Sequence, residues 1–89
     1  MQLADTSAEE FHVNADRLKN TIEHESGWRN IKSFFDEESY GVCQINIKAH
    51  PEISLDMAMN PQFCIPWMAK QFSKGNAHWW VAWNRLYGP

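Results

Sequence analysis

The chain has 89 residues, a formal net charge of −3 and a hydrophobic content of 44%, with five tryptophans among the apolar residues. This length suits a single domain, 1–89, and the apolar content excludes a disordered chain. We expect no nucleic-acid partner because there is no dense basic stripe, and no membrane span because there is no apolar run of about 18 residues.

The first residues, 1–8, are predicted to form a loose start, followed by a short helix over 8–12. Met1 leads into the acidic residues Asp5 and Glu9 without a basic start or an apolar stretch. Those two features define a secretory signal peptide, so none is visible here.

A second helix is predicted to begin at Asn14 and to end at Gly27. Asparagine is a favourable N-cap, and glycine commonly follows the last residue of a helix. The spacing of Leu18, Ile22 and Glu25 is four and then three residues, which places them on one helix face. We expect this face to pack against the core.

Glu25 therefore lies at the end of a helix on the core-facing side, whereas Glu23 lies on the solvent side. Partial burial disfavours the ionised form of a carboxyl and raises its pKa. A carboxyl that stays protonated near neutral pH can act as a general acid. Glu25 is thus the candidate catalytic residue.

The segment SYGVCQINI, residues 39–47, fits two interpretations. Its β-favouring side chains are typical of a strand, and Gly41 also permits a turn into a short helix. Cys43 and Cys64 enclose a loop of roughly 20 residues, which a disulfide would stabilise. Each cysteine is equally suited to be a small buried thiol. The sequence leaves both questions open.

Two helices are predicted in the last third of the chain. Asn60 and Pro61 are a favourable N-cap and first helical residue, but Pro66 cannot donate a backbone hydrogen bond. That helix either starts near Pro66 or is kinked there, and Gly75 is expected to end it. Asn76 is predicted to cap a final helix with its apolar residues on one face: Trp79, Ala82, Trp83 and Leu86. These patterns together predict a mainly α fold with at most a minimal β element.

Three segments, in this order, resemble motifs of the lysozyme-like lytic transglycosylase family, which includes soluble lytic transglycosylases and goose-type lysozyme-like domains. Glu25-Ser26-Gly27-Trp28 is similar to the Glu-Ser motif that carries the catalytic glutamate. Gly41-Val42-Cys43-Gln44-Ile45-Asn46 is similar to the Gly-Leu-Met-Gln segment, and Ala82-Trp83-Asn84 stands in place of the Ala-Tyr-Asn motif. The resemblance spans residues 13–87 and implies a small lysozyme-like helical domain.

The resemblance implies cleavage of the β-1,4 bond between N-acetylmuramic acid and N-acetylglucosamine in peptidoglycan. Glu25 would protonate the glycosidic oxygen and then, as a carboxylate, act as base. Attack by the muramic 6-hydroxyl would give a 1,6-anhydro end, with help from the 2-acetamido group, so one protein carboxyl suffices.

Two alternatives remain. A second carboxylate among Asp36, Glu37 and Glu38 would permit hydrolysis of the lysozyme type, although consecutive acids are more often a solvated loop. The chain could instead be a non-catalytic domain that binds cell-wall glycan.

The resemblance also implies a set of substrate-binding residues: Ser26, Ser39, Tyr40, Gln44, Asn46, Trp83, Asn84 and Tyr87. Gln44 is the best candidate to hold an acetamido or hydroxyl group. Ser26 either lies near the carboxyl of Glu25 or merely closes its helix. Trp83 replaces the tyrosine that hydrogen-bonds the glutamate in the family, and Tyr87, one turn later, is a second candidate for that bond.

The aromatic cluster Trp79, Trp80 and Trp83 is expected to combine core packing with one or two faces open to sugar rings. We expect no metal and no cofactor, because His12, His24, His50 and His78 show no ligand spacing. The expected partner is the peptidoglycan glycan strand, bound by a monomer in an extracytoplasmic compartment.

Overall fold

The structure is a computed structural model that describes residues 2–33 and 38–88. Within these residues the α-helices are α1 (Gln2–Phe11), α2 (Ala15–Ser26), α3 (Leu55–Ala58), α4 (Pro61–Ser73) and α5 (Val81–Leu86), the strands are β1 (Ser39–Tyr40) and β2 (Ile45–Asn46), and a 3₁₀ turn covers Ala77–Trp79. The prediction of a mainly α fold is confirmed. None of the helices in the described part of the chain is both long and apolar enough to cross a membrane.

The chain is helical from Gln2 onward, so the predicted loose start and the separate short helix over 8–12 are wrong. Helix α1 runs from Gln2 to Phe11 and packs against α4. Its buried residues are Ala4, Ser7 and Ala8, which recur at helical spacing on one face. These small side chains let α1 approach α4 closely, and tertiary packing thereby orders the segment.

Helix α2 has the predicted bounds and the predicted buried face. The side chain of Asn14 accepts a hydrogen bond from the Arg17 backbone N–H over 3.0 Å, which caps the first turn. Gly27 follows the last residue in a left-handed conformation, with φ of 62°. Leu18 and Ile22 are completely buried in the core.

Segment 39–47 forms a short antiparallel hairpin, which resolves the two interpretations in favour of strands. Ser39 pairs with Asn46, and Tyr40 pairs with Ile45. The turn between the strands contains two left-handed residues, Gly41 with φ of 83° and Gln44 with φ of 52°. The hairpin is small, but it carries the segment that resembles the family's glutamine motif.

The two cysteines are free thiols buried in the core, one in the hairpin turn and one in α4. Burial raises the pKa of the Cys43 thiol well above its ordinary value, and its hydrogen bond with Cys64 acts in the same direction. Of the two possibilities the sequence left open, the structure has the buried thiols.

Helix α4 begins at Pro61 and includes Pro66 in its interior. The Asn60 side chain caps it by accepting a hydrogen bond from the Gln62 backbone N–H over 3.0 Å. The alternative in which the helix starts near Pro66 is therefore excluded. Gly75, with φ of 82°, follows the end of the helix as predicted.

The predicted final helix is broken in two, which corrects the sequence prediction. Trp80 lies between the 3₁₀ turn and α5 in an extended conformation, with φ of −99° and ψ of 126°. Its indole is buried and donates to the Cys43 carbonyl over 2.7 Å. The extended backbone at Trp80 directs this large ring into the core. Asn76 does not cap the segment through its side chain, which donates instead to Gln71 Oε1 over 3.0 Å.

Candidate active site

A cleft of about 810 Å³ opens where the end of α2, the hairpin and the segment before α5 meet. We term it the Glu25 cleft. Its walls include His24 and Glu25 from α2, Ser39, Gln44 and Asn46 from the hairpin, His50 beyond it, Trp67 from α4, and Trp79, Trp80, Val81, Ala82 and Arg85 from the last part of the chain.

Glu25 is partly buried in the wall of this cleft. Its Oε2 accepts a hydrogen bond from the backbone N–H of Ala82 over 3.1 Å. Burial raises the pKa of the Glu25 carboxyl, while the Ala82 N–H and the positive charge of Arg85 oppose part of this rise. The carboxyl is thus held in one place and remains protonated to a higher pH than an exposed glutamate, as a general acid requires.

The group that holds the Glu25 carboxyl is the backbone N–H of Ala82. The two side chains considered for this bond, those of Trp83 and Tyr87, make other contacts. The Tyr87 hydroxyl accepts a hydrogen bond from Asn20 Nδ2 over 3.0 Å, and its ring lies 4.7 Å from the Arg17 guanidinium. The Trp83 ring packs against Tyr87, with their centroids 6.2 Å apart. The bond from Ala82 was not predicted because its donor is a backbone N–H, which no side chain in the sequence indicates.

Ser26 connects α2 to the hairpin and does not approach the cleft. Its hydroxyl donates to the Val42 carbonyl over 2.7 Å and accepts from the Trp28 N–H over 3.2 Å. Only 3% of the residue is exposed, which leaves no surface for a sugar. None of the described contacts joins the Ser26 hydroxyl to Glu25, so the interpretation in which it hydrogen-bonds near that carboxyl is wrong. The hydroxyl also lies 3.2 Å from the Ile22 carbonyl, which supports the alternative that Ser26 helps to close its helix.

Gln44 lines the cleft, but its amide nitrogen is used within the protein. Nε2 donates to the carbonyls of Ile31 and Gly41 over 2.9 and 2.7 Å. These bonds hold the left-handed turn and the segment before it. Any contact of this side chain with a sugar would therefore go through the amide oxygen.

The predicted substrate-binding residues divide into two groups. Ser39, Gln44 and Asn46 line the Glu25 cleft, and the Asn46 side chain also accepts from the backbone N–H groups of Lys48 and Ala49, each over 3.0 Å. The structure does not bring the remainder to the cleft: Ser26, Tyr40, Trp83, Asn84 and Tyr87. Asn84, for example, donates to the His78 carbonyl over 2.7 Å.

Glu25 is the only carboxylate that lines the cleft among residues 2–33 and 38–88. Of the three acids considered for a second catalytic role, Asp36 and Glu37 lie outside the described residues. Glu38 is partly buried and is not part of the cleft wall. The same residues hold no cluster of three His, Cys, Asp or Glu side chains suited to a metal ion.

Two features of the cleft were not predicted. Arg85, the residue after the Ala-Trp-Asn segment, faces the cleft with its charge near Glu25. The ring of His50, one of the four histidines without ligand spacing, lies against the rings of both Trp67 and Trp79, with centroids 5.2 and 4.9 Å away. The concentration of tryptophans was a signal for an aromatic wall, whereas nothing in the sequence placed His50 beside them.

No family model, curated protein or solved structure matches this chain. The resemblance to lytic transglycosylases therefore rests on the three motifs, each of which contributes at least one residue to the wall of the Glu25 cleft.

Proposed function

We propose that this protein is a peptidoglycan lytic transglycosylase in which Glu25 serves first as general acid and then as base. The observation that carries the proposal is the environment of Glu25: a partly buried carboxyl with a raised pKa in the wall of a cleft, fixed by the Ala82 N–H. The motif that contains Gln44 forms the neighbouring wall. This geometry is suited to proton transfer to a bound glycosidic oxygen.

In the proposed reaction, protonated Glu25 gives its proton to the oxygen that links N-acetylmuramic acid to N-acetylglucosamine. The C1–O bond breaks, and the leaving sugar departs with that proton as a hydroxyl. The muramic 6-hydroxyl then forms the new bond to C1 and releases its proton to the Glu25 carboxylate. Water is not consumed, and Glu25 ends the cycle protonated.

Transglycosylation is the reaction that the resemblance implies, and it requires only one carboxyl, which Glu25 supplies in the described part of the cleft. Glycosidases that act by direct displacement or through a covalent intermediate use a pair of carboxyl groups. Attack by a hydroxyl of the substrate itself needs only one. The proposed substrate is a cell-wall polymer, so the proposed place of action is extracytoplasmic.

The experiment is mass spectrometry of the soluble products released from purified peptidoglycan. Glu25→Gln is the inactive variant, and Glu23→Gln, an exposed glutamate on the same helix, is the matched control. We expect 1,6-anhydro-muramyl ends from the parent and from Glu23→Gln, and none from Glu25→Gln.

Reducing muramic ends would contradict transglycosylation and favour hydrolysis, directing the search to Asp36, Glu37 and Glu38. Unchanged product from Glu25→Gln would refute the catalytic assignment. Binding of peptidoglycan without any product would leave the alternative of a non-catalytic glycan-binding domain.

A further inference from the structure

One wall of the Glu25 cleft is a set of aromatic rings around an exposed tryptophan. Trp79 is 45% exposed, although a side chain of this size is usually well covered. Its ring centroid lies 4.9 Å from that of His50 and 6.4 Å from that of Trp67. We term these three rings the ring platform, and all three line the cleft that contains Glu25.

The ring platform is held in place by the residues around it. The Trp67 and His50 rings pack edge to face, with an interplanar angle of 78°. Trp80, the next residue after Trp79, is anchored by its hydrogen bond to the Cys43 carbonyl over 2.7 Å. The Trp79 ring is therefore supported by its neighbours, so a ligand would meet a preformed surface with little ordering cost.

The chemistry of this surface matches one face of a pyranose ring. A β-1,4-linked amino sugar carries its polar groups around the ring edge and presents C–H groups on its face. An exposed indole covers such a face, while polar groups alongside can engage the edge. Gln44 lines the same cleft, and its amide oxygen is the atom of this side chain that can engage a sugar there.

We propose that Trp79, supported by His50 and Trp67, is a sugar-stacking subsite that binds an N-acetylhexosamine ring of the glycan strand. This inference deepens the proposed function and depends on it for the identity of the sugar. A ring bound here is stacked equally in the ground state and the transition state. The subsite therefore lowers Kd and KM and leaves the proton transfer at Glu25 unchanged.

The test is calorimetric titration of chitotetraose, an uncharged N-acetylglucosamine tetramer, into protein that carries Glu25→Gln and cannot cleave it. Trp79→Ala and Trp79→Phe are compared in this background. The control is Leu55→Ala, which removes another exposed apolar side chain, 47% exposed and outside the cleft wall.

We expect Kd to increase at least tenfold for Trp79→Ala, to increase less for Trp79→Phe, and to stay the same for Leu55→Ala. Because Trp79→Phe keeps an aromatic ring, it also reports on the subsite if the alanine variant folds poorly. An unchanged Kd in both Trp79 variants, or no binding of chitotetraose by the Glu25→Gln parent, would overturn the subsite.

Cleavage assays separate this inference from the proposed function. With Glu25 intact, Trp79→Ala should raise KM for peptidoglycan about tenfold and leave kcat close to that of the parent. Cleavage with unchanged KM in Trp79→Ala would refute the subsite and leave the proposed function standing. Binding of chitotetraose that depends on Trp79, with no cleavage by the parent, would refute the enzyme and support the subsite.

Discussion

The backbone N–H of Ala82 donates to Oε2 of Glu25 over 3.1 Å and joins two residues that are 57 positions apart. The bond fixes which carboxyl oxygen faces the protein. In a neutral carboxyl the carbonyl oxygen is the better acceptor, so this bond to Oε2 favours protonation of the other oxygen, Oε1. The start of α5 thus orients the proposed general acid at the end of α2.

The rate of peptidoglycan cleavage should depend on pH through Glu25. Burial raises the pKa of this carboxyl, so it stays protonated above the range of an exposed glutamate. We expect kcat/KM to fall about tenfold per pH unit once the pH exceeds this raised pKa. The measurement is product release across pH, together with NMR titration of the Glu25 carboxyl carbon. A decline that begins at the ordinary pKa of a glutamate would contradict the assignment.

Arg85 should influence the pH at which kcat/KM begins to fall. Its positive charge lowers the pKa of Glu25, so Arg85→Gln should raise that pKa and move the decline in kcat/KM to higher pH. Arg85 is exposed, and the effect should therefore diminish in high salt. Lys70→Gln, which removes an exposed charge outside the cleft wall, is the control and should leave the profile unchanged. Coinciding profiles for Arg85→Gln and the parent would show that this charge does not act on Glu25.

The sequence predicted α2 in full because both of its ends carry local signals. Asn14 caps the first turn and Gly27 adopts the left-handed conformation after the last, so neither boundary depends on distant residues. Helix α1 was missed because its buried face consists of small residues such as Ala4 and Ala8. These residues recur at helical spacing, but each carries little apolar surface, so packing against α4 decides the structure of the segment.

The difference between local signals and distant packing also explains which parts of the Glu25 cleft were predicted. Glu25 was predictable because a helix face and a motif agree on it. The break at Trp80 was not, because helical spacing continues through that residue and only burial of its ring interrupts the helix. That break also places the Ala82 N–H at Glu25, and a backbone donor has no signature in the sequence.

Glu25→Gln should stabilise the protein at neutral pH. A raised pKa means that the folded protein binds the Glu25 proton more tightly than the unfolded chain does. The stability that comes from this proton is complete below the ordinary carboxyl pKa, and it is lost as pH rises through the raised value. Glutamine never ionises, so it avoids this loss and can still accept the Ala82 N–H.

We expect the Tm of Glu25→Gln to exceed that of the parent by roughly a few degrees at neutral pH for a domain of this size. The difference should disappear at pH values well below the ordinary carboxyl pKa. Thermal unfolding followed by circular dichroism measures both. Glu23→Gln is the control, and an equal gain from it would show that general charge removal is responsible.

Ser26→Ala should weaken the fold without changing the chemistry. The variant removes the donor to the Val42 carbonyl and the acceptor of the Trp28 N–H inside a buried contact. The expected loss in the free energy of unfolding is about 1–3 kcal/mol. Ser73→Ala, which removes an exposed hydroxyl bonded to the Lys70 carbonyl, should cost much less. Urea denaturation gives the difference, and a large fall in kcat for Ser26→Ala below its Tm would indicate a direct role in catalysis.

Gly41 and Gly75 provide a matched pair that tests how tightly the hairpin turn is packed. Both have similar positive φ values, 83° and 82°, so replacement by alanine introduces the same backbone strain of about 1–2 kcal/mol. Around Gly75 there is open space, whereas a β-carbon at Gly41 would overlap the carbonyl oxygen of Ala58. That oxygen belongs to the backbone of α3 and cannot move aside as a side chain could.

We therefore expect Gly41→Ala to lose several kcal/mol more than Gly75→Ala, which is a large share of the roughly 5–15 kcal/mol that stabilises a typical domain. Chemical denaturation of the two variants measures the difference. Equal losses would show that the hairpin turn can move away from α3. Because Gly41 accepts one of the two bonds from the Gln44 amide, a displaced turn should also reduce cleavage of peptidoglycan, while Gly75→Ala should retain it.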